Sequence, residues 1–190
     1  MTYGDIWQNL TEEYYKKMFD NDWRLHLEMQ TWLLNHRFEN ILEIGCGTGQ
    51  YAEYFGERFV GIDVSRGGIE TARKTHPCSR FIYGDYLETD LPDKYDLVMS
   101  VASIDCVYDM NKFIMKAIEN SRKYVVIINY NSYNNDIYNH HYIHREDGDY
   151  YENIISLREI RRLLYRYKFT ITPIEREPER RNAFMLEIHV

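Results

Sequence analysis

The sequence predicts an α/β fold: a doubly wound, mostly parallel sheet, with a helical cap before it and an antiparallel hairpin closing it. Three observations carry that expectation. Apolar runs of four to six residues recur from Ile41 onward, and rich ones such as YVVIIN at 124–129 read as strands buried on both faces. Most of these runs are separated by stretches of helical character, the alternation of a parallel sheet covered by helices. The last two runs face each other across a turn-like segment instead.

Taken in order, the first forty residues predict two helices, Thr11 to Phe19 and Trp23 to Asn35, parted at Asp20-Asn21-Asp22. Leu27, Met29, Leu33 and Leu34 give the second helix a core stripe, so this region reads as a cap on the sheet. Strands are expected at Ile41 to Ile44, Phe59 to Asp63, Arg80 to Tyr83, Tyr95 to Ser100 and Tyr124 to Asn129. Helices are expected at Gln50 to Glu57, Gly68 to Thr75 and Asn111 to Ser121, whereas Gly84 to Lys94 is too polar and too short for one. The stretch from Asn129 to Glu152 is dense in Asn, Tyr and His without a period, and reads as a long loop or an excursion from the sheet. Ser156 and Glu159 then form a capping box, each side chain serving an amide of the other residue, and open a helix to Tyr167. The runs Phe169 to Glu175 and Ala183 to Val190, joined by REPERRN, complete a seven-stranded sheet as an antiparallel hairpin.

Length and composition suit one domain with a hydrophobic core, at 190 residues, 44% hydrophobic and 28% charged. No apolar run approaches the ~20 residues that cross a bilayer, and MTYGDIWQNLTEEYY lacks a basic region followed by an apolar one. A cytoplasmic protein without membrane contact is therefore expected. Cys46, Cys78 and Cys106 form neither a CxxC pair nor a zinc-ligand spacing with histidine, so reduced thiols and no metal are expected. A net charge of -7 supplies no basic face for nucleic acid. The 18 tyrosines suit a cavity lining or ordinary half-buried packing.

The chemistry is concentrated where ILEI runs into Gly45-Cys46-Gly47-Thr48-Gly49 and then into a helix. Glycines let a backbone turn tightly and approach a ligand, and the following helix presents free amides, an arrangement that suits a nucleotide-like ligand. The dinucleotide fingerprint GxGxxG fails at its last glycine, because position 50 is Gln50. The spacing is ExGxGxG, with Glu43 as its acid. Past the loop, FVGIDVS places Asp63 at the carboxyl edge of the sheet, where a carboxylate can accept both hydroxyls of a ribose.

The run ILEIGCGTGQYAEYF resembles the first motif of the class I S-adenosylmethionine-dependent methyltransferases, and four features in register extend the resemblance over about residues 40 to 130. It implies a Rossmann-like fold, S-adenosylmethionine as cofactor and S-adenosylhomocysteine as product. It also implies that Glu43 supports the glycine loop near the methionine part of the cofactor, and that Gly45, Cys46, Gly47 and Gly49 form the loop. By the same resemblance Asp63 is the ribose acid and Val64 neighbours the adenine. Asp85 in FIYGDYLE takes the adenine amino group with Tyr86 beside it, and Ser100 and Val101, followed by Ala102, edge the methionine part. The whole chain then reads as a single methyltransferase domain over 1–190. Its helical cap is 1–38, its cofactor-binding core 39–129, its substrate-side insertion 130–155, and its final helix and hairpin 156–190.

Transfer from a sulfonium needs in-line alignment and a base only where the nucleophile starts protonated. Asp105, after the fourth strand where many small-molecule members carry histidine or an aromatic residue, is a candidate for orienting or deprotonating an acceptor. It reads equally as a loop acid capping the next turn. His140, His141 and His144 lie in the insertion, and His141 is the second catalytic candidate. Surface histidines in an Asn-rich loop are commoner, and HHxxH is no standard zinc pattern. Cys46 reads as a small loop residue and Cys106 as packing. Arg158, Arg162 and Arg166 read as a solvated helix face or an anion contact, and Tyr3, Trp7, Tyr14 and Tyr15 as core or as a cover over the cofactor. The expected function is methyl transfer to an O or N nucleophile of a small-molecule acceptor by a monomer or homodimer, with no nucleic-acid partner. The missing NPPY-like sequence after the fourth strand, where SVAS stands, supports this choice. A protein acceptor, a non-catalytic S-adenosylmethionine-binding protein and aminopropyl transfer are the alternatives.

Overall fold

The computed structural model describes residues 13, 17, 23–130, 133–145, 150–175 and 183–190. The expected helix from Thr11 to Phe19 lies outside these residues except for Glu13 and Lys17, and so do Tyr3, Trp7, Tyr14, Tyr15 and the REPERRN segment. Helix α1 (Trp23–Leu34) precedes β1 (Ile41–Ile44), α2 (Ala52–Phe55), β2 (Phe59–Asp63), α3 (Arg66–Thr75), β3 (Arg80–Tyr83) and β4 (Tyr95–Val101). Helix α4 (Met110–Glu119) and β5 (Ser121–Ile128) follow. Short strands β6 (Tyr133–Asn134), β7 (His144–Arg145), β8 (Tyr150–Tyr151) and β9 (Ile155–Ser156) lead to α5 (Leu157–Leu163), β10 (Lys168–Ile174) and β11 (Ala183–His189).

Seven strands form one sheet in the order β10-β11-β5-β4-β1-β2-β3. Strands β1 to β5 pair in parallel, while β11 is antiparallel to both β5 and β10. Side chains alternate across a strand, so the apolar runs fill both faces. Leu42, Ile44, Val98 and Val125 pack with Phe113 and Ile114 of α4 and Ile160 of α5. Ile41, Leu97, Met99 and Val126 pack with Leu25 and Met29 of α1, and with Ile69 and Ala72 of α3. Helices thus cover both faces, as a doubly wound sheet requires. Caps set the helix starts: Ser65 Oγ accepts from Gly68 N at 3.1 Å, and Asp109 Oδ1 accepts from Lys112 N at 2.9 Å.

Three local expectations change. The helix expected over 50–57 is only the four residues of α2, continued by a 3-10 turn at Gly56–Arg58. Leu27 and Leu34 of the expected core stripe are 47% and 86% exposed, whereas Leu25 and Met29 are buried. Docking turns the helix this way: Trp32 stacks on His36 with ring centres 3.9 Å apart and donates Nε1–H to Glu187 Oε2 of β11 at 2.9 Å. Of the capping box only half forms. Ser156 Oγ accepts from Glu159 N at 3.1 Å, but Ser156 N donates to His140 Nδ1 at 2.9 Å. Glu159 spends its own carboxylate on His140 N and on Asn111 Nδ2, and α5 ends at Leu163.

Candidate cofactor site

The carboxyl ends of the parallel strands open into a cavity enclosing about 1110 Å³ of empty space, its solvent mouth included. Such a crevice is where open α/β sheets place their ligands. Its floor is the loop that leaves β1. Gly45 has φ +74, and a Cβ there would lie 1.9 Å from Ser103 Oγ, so only glycine lets the loop after β1 pass the loop after β4. Gly49, with φ +79, sits against Phe81 and Ala72, so it shapes the exit of the loop and does not itself line the cavity.

Asp63 ties this loop to the end of β2. Its Oδ2 accepts from Gly47 N at 2.8 Å and its Oδ1 from Ser65 N at 2.7 Å. Burial pushes its carboxyl above the usual range, against the pull of those two amides. Glu43 is 4% exposed, lines the cavity, and keeps Oε2 without a hydrogen-bond partner. Burial, and then the charge of Asp63, hold its carboxyl well above the usual range. A buried carboxylate with an open oxygen is costly unless a ligand supplies a cation or a donor. Asp85 also faces the cavity, with Oδ1 accepting from Leu87 N at 2.8 Å and its pKa raised by burial. The Tyr86 ring meets Phe113 edge-on, with centres 5.4 Å apart, and its hydroxyl donates to Asn120 Oδ1 at 3.0 Å.

The cavity thus gathers Glu43, Gly45, Cys46, Gly47, Asp63, Val64, Asp85, Tyr86 and Val101. Ser100 is fully buried beneath it and does not line it. Burial, then the charges of Asp63 and Glu43, push the Cys46 thiol up, which suits a packed loop residue and not a nucleophile. Sequence reasoning missed His26, Gln50, Ser103, Val107 and Phe113 as lining residues. His26 comes from α1, has Nδ1 2.8 Å from Tyr51 Oη, and is lowered by burial to about 4, so it is neutral at physiological pH. Nothing near His26 in the sequence marks it, whereas Gln50 was visible only as a missing glycine.

Neither proton-transfer candidate lines the cavity. Asp105 has no exposed surface, and its Oδ2 accepts from Tyr130 N at 2.6 Å. His141 is exposed and bridges Ile154 through its backbone. The insertion's histidines do not converge: His140 is buried against Ser156, and His144 is exposed on β7.

Fold and cavity define a doubly wound α/β protein with a ligand-sized crevice at the carboxyl ends of its parallel strands. A family model described as a methyltransferase domain matches residues 41–123. The malonyl-acyl-carrier-protein O-methyltransferase of Priestia megaterium (strain DSM 319 / IMG 1521) is 35% identical over 83 residues, 40% of this chain and 30% of that protein. The ubiquinone biosynthesis O-methyltransferase of Bartonella quintana (strain Toulouse) is 35% identical over 88 residues, 40% of this chain and 35% of that protein. The chain therefore spans about a third of the length of these relatives. Among solved structures, the plantazolicin methyltransferase BamL with a desmethyl-plantazolicin analog and S-adenosylhomocysteine superposes with a TM-score of 0.69 at 15% identity, over 98% of this chain and 93% of that one. The 1,6-didemethyltoxoflavin-N1-methyltransferase of Burkholderia thailandensis gives 0.67 at 12% identity, over 92% and 81%. At such identities these two likenesses speak for the fold alone. The matched stretch, residues 41–123, is under half of the chain and resembles a methyltransferase domain of the kind that uses S-adenosylmethionine, while the solved structures share the fold over nearly the whole chain. The residues fit that cofactor: Glu43 offers an open carboxylate oxygen beside the glycine loop, and Asp63 stands at the end of β2. Among the described residues no helix is long and apolar enough to cross a membrane.

Proposed function

We propose that this chain moves a methyl group from S-adenosylmethionine to an oxygen or nitrogen nucleophile of a small-molecule acceptor. The observation that carries the reading is the meeting, in one cavity, of the glycine loop, Asp63 and the unpartnered Oε2 of Glu43. Asp63, held in place by two backbone amides, accepts from the ribose hydroxyls. Glu43 receives the ammonium of the methionine part, while Val64, Asp85 and Tyr86 border the adenine, and Gly45, Gly47 and Val101 shape the path between. When bound, the cofactor supplies a methyl group already activated by its sulfonium. What remains for the chain is alignment of the acceptor with that methyl group, a large source of rate in such transfers. Neither Asp105 nor His141 is positioned to take a proton from an acceptor there, so alignment without a base from either is the favoured mechanism. Residues 39–129 form the cofactor half and 130–155 stand on the acceptor side. The small-molecule acceptor is supported by the relatives, whose names include ubiquinone biosynthesis and fatty-acid O-methyltransferases.

Calorimetry with S-adenosylhomocysteine tests the donor half. Asp63→Ala is expected to weaken binding ~100-fold, because two hydrogen bonds to a charged group are lost together; unchanged affinity would overturn the assignment. Radiolabelled methyl transfer into a metabolite extract tests the reaction, with mass spectrometry naming the labelled product. Cofactor binding without any labelled product would make the chain a binding protein instead.

A further inference from the structure

The two ends of the segment after β5 converge on one short turn. Tyr130 donates its amide to Asp105 Oδ2 at 2.6 Å. Asn153 donates its amide to Asp105 O at 2.8 Å and its Nδ2 to Val107 O at 2.7 Å. Asp105 is fully buried and Asn153 1% exposed. Burying a carboxylate and an amide under a loop is costly unless their bonds matter to the arrangement. What they grip is the 3-10 turn Ile104–Cys106 and the following Val107, and Cys106 and Val107 line the cavity. The turn starts from Ala102, whose φ of +58 is the only left-handed backbone outside glycine among the described residues. Its amide is pinned to Ile128 O at 2.8 Å. A backbone held in a sparsely populated conformation persists only when its surroundings over-determine it, and here both flanks of the turn are tied down.

Resting on the methyltransferase reading above, the polar groups for the donor come from the ends of β1, β2 and β3, namely Glu43, Asp63 and Asp85. The wall after β4 is different in chemistry: Ala102, Ser103, Cys106 and Val107 carry no charge at neutral pH, since burial also pushes the Cys106 thiol up. Such a wall suits an uncharged, apolar or ring-bearing acceptor body. The described residues of 133–155 do not line the cavity, so their influence on it passes through the turn. We infer that Asp105 and Asn153 are positioning residues that clamp the turn Ile104–Val107 as the acceptor wall, so that the insertion sets acceptor specificity through this turn. Asp105 then works through an accepted backbone hydrogen bond and needs no proton transfer.

The test follows alkylation of Cys106 by iodoacetamide, resolved by mass spectrometry, in the full chain with and without S-adenosylhomocysteine. Asn153→Ala and Asp105→Ala are each expected to raise the Cys106 rate ~10-fold, the worth of one lost hydrogen bond of about 1.4 kcal/mol. Asp105→Asn keeps an oxygen for the Tyr130 amide but removes a charge that helps hold the Cys106 thiol up, so its rate is expected to rise less than that of Asp105→Ala. Ser156→Ala loosens the insertion from α5 without touching the turn, and is expected to leave the rate unchanged. Asn153→Ser retains a donor and is the milder variant if the alanine form does not fold; it should fall between wild type and Asn153→Ala. An unchanged rate in the Asn153 and Asp105→Ala variants, or an equal rise in Ser156→Ala, overturns the proposal. Alkylation needs no methyl transfer, so this outcome is separate from any failure of the catalytic reading. With the acceptor named by the labelling experiment, Asn153→Ala should raise its KM ~10-fold while kcat and S-adenosylhomocysteine affinity hold, and Asp105→Asn should restore the wild-type KM. Loss of kcat in Asp105→Asn would return Asp105 to proton transfer and overturn the clamp.

Discussion

The chain leaves β1 through glycines and leaves β5 through Asn129 and Tyr130, at the same edge of the same sheet. At the first exit the path is dictated by backbone: positive φ at Gly45, Gly47 and Gly49, with one side chain, Asp63, pinning an amide of the loop. At the second, side chains do the holding. Asn129 exchanges bonds with Phe184, Asp105 and Asn153 grip the ends of the insertion, and Ser156, His140 and Glu159 knot it to α5. A backbone solution tolerates few substitutions but is written plainly in sequence. A side-chain solution can be assembled from many residue sets, so it diversifies readily and is hard to read. The family match ends at residue 123, just before the second exit.

The largest effect that would sharpen this contrast comes from Gly45→Ala. Its Cβ would overlap Ser103 Oγ, and φ is +74, so the chain should lose about 1–3 kcal/mol of stability and most S-adenosylhomocysteine affinity. Ser103→Gly in the same chain should return part of both, measured by thermal melting and calorimetry; no return would mean that the close approach is not what demands glycine. A smaller effect of mixed sign is expected from Glu43→Gln. A carboxyl whose pKa is raised by folding favours the folded state below its ordinary range, and that benefit is lost as pH rises through the raised value. Neutral pH lies above the ordinary carboxylate range, so the ligand-free protein there folds at a cost that an uncharged side chain in this place would not impose. Glu43→Gln should raise Tm by ~2–4 °C at pH 7 and by nothing below pH ~4, while weakening S-adenosylhomocysteine binding ~10-fold. A lower Tm at pH 7 would break the picture of a site that trades stability for a ligand. The smallest effect belongs to the second exit: Ser156→Ala removes the cap of α5 and should cost about 1 kcal/mol in denaturant unfolding, with cofactor affinity unchanged. A drop in affinity would show that the two exits are coupled.

What was legible in the sequence follows the same division. β1, β2 and β3 fall where their apolar runs place them, and Gly45, Cys46, Gly47 and Asp63 stand in the cavity because local rules (glycine, strand end, acid) suffice to put them there. Asp105 was equally visible as a strand-end acid. Its direction was not, because whether a carboxylate turns to the cavity or to Tyr130 depends on a segment that returns only 25 residues later. Glu159 misled in the same way, since distant Asn111 and the backbone of His140 outbid the adjacent Ser156 amide. Leu27 and Leu34 satisfied a helical stripe, yet Trp32 and Glu187 decided which face of α1 meets the sheet. His26 enters the cavity only because of that docking.

The place of β11 bears on how such a chain can be made. The strand of the large sheet that comes latest in the sequence is not at an edge: it lies between β5 and β10, pairing antiparallel with each. Until residues 183–189 have emerged from the ribosome, β5 has an open row of amides and carbonyls along a strand as apolar as Val125–Ile128. An uncovered edge of that kind pairs readily with other chains. Synthesis that stalls before residue 183 should therefore yield an aggregating chain, which makes the pairing of β11 the step that closes the sheet against such association.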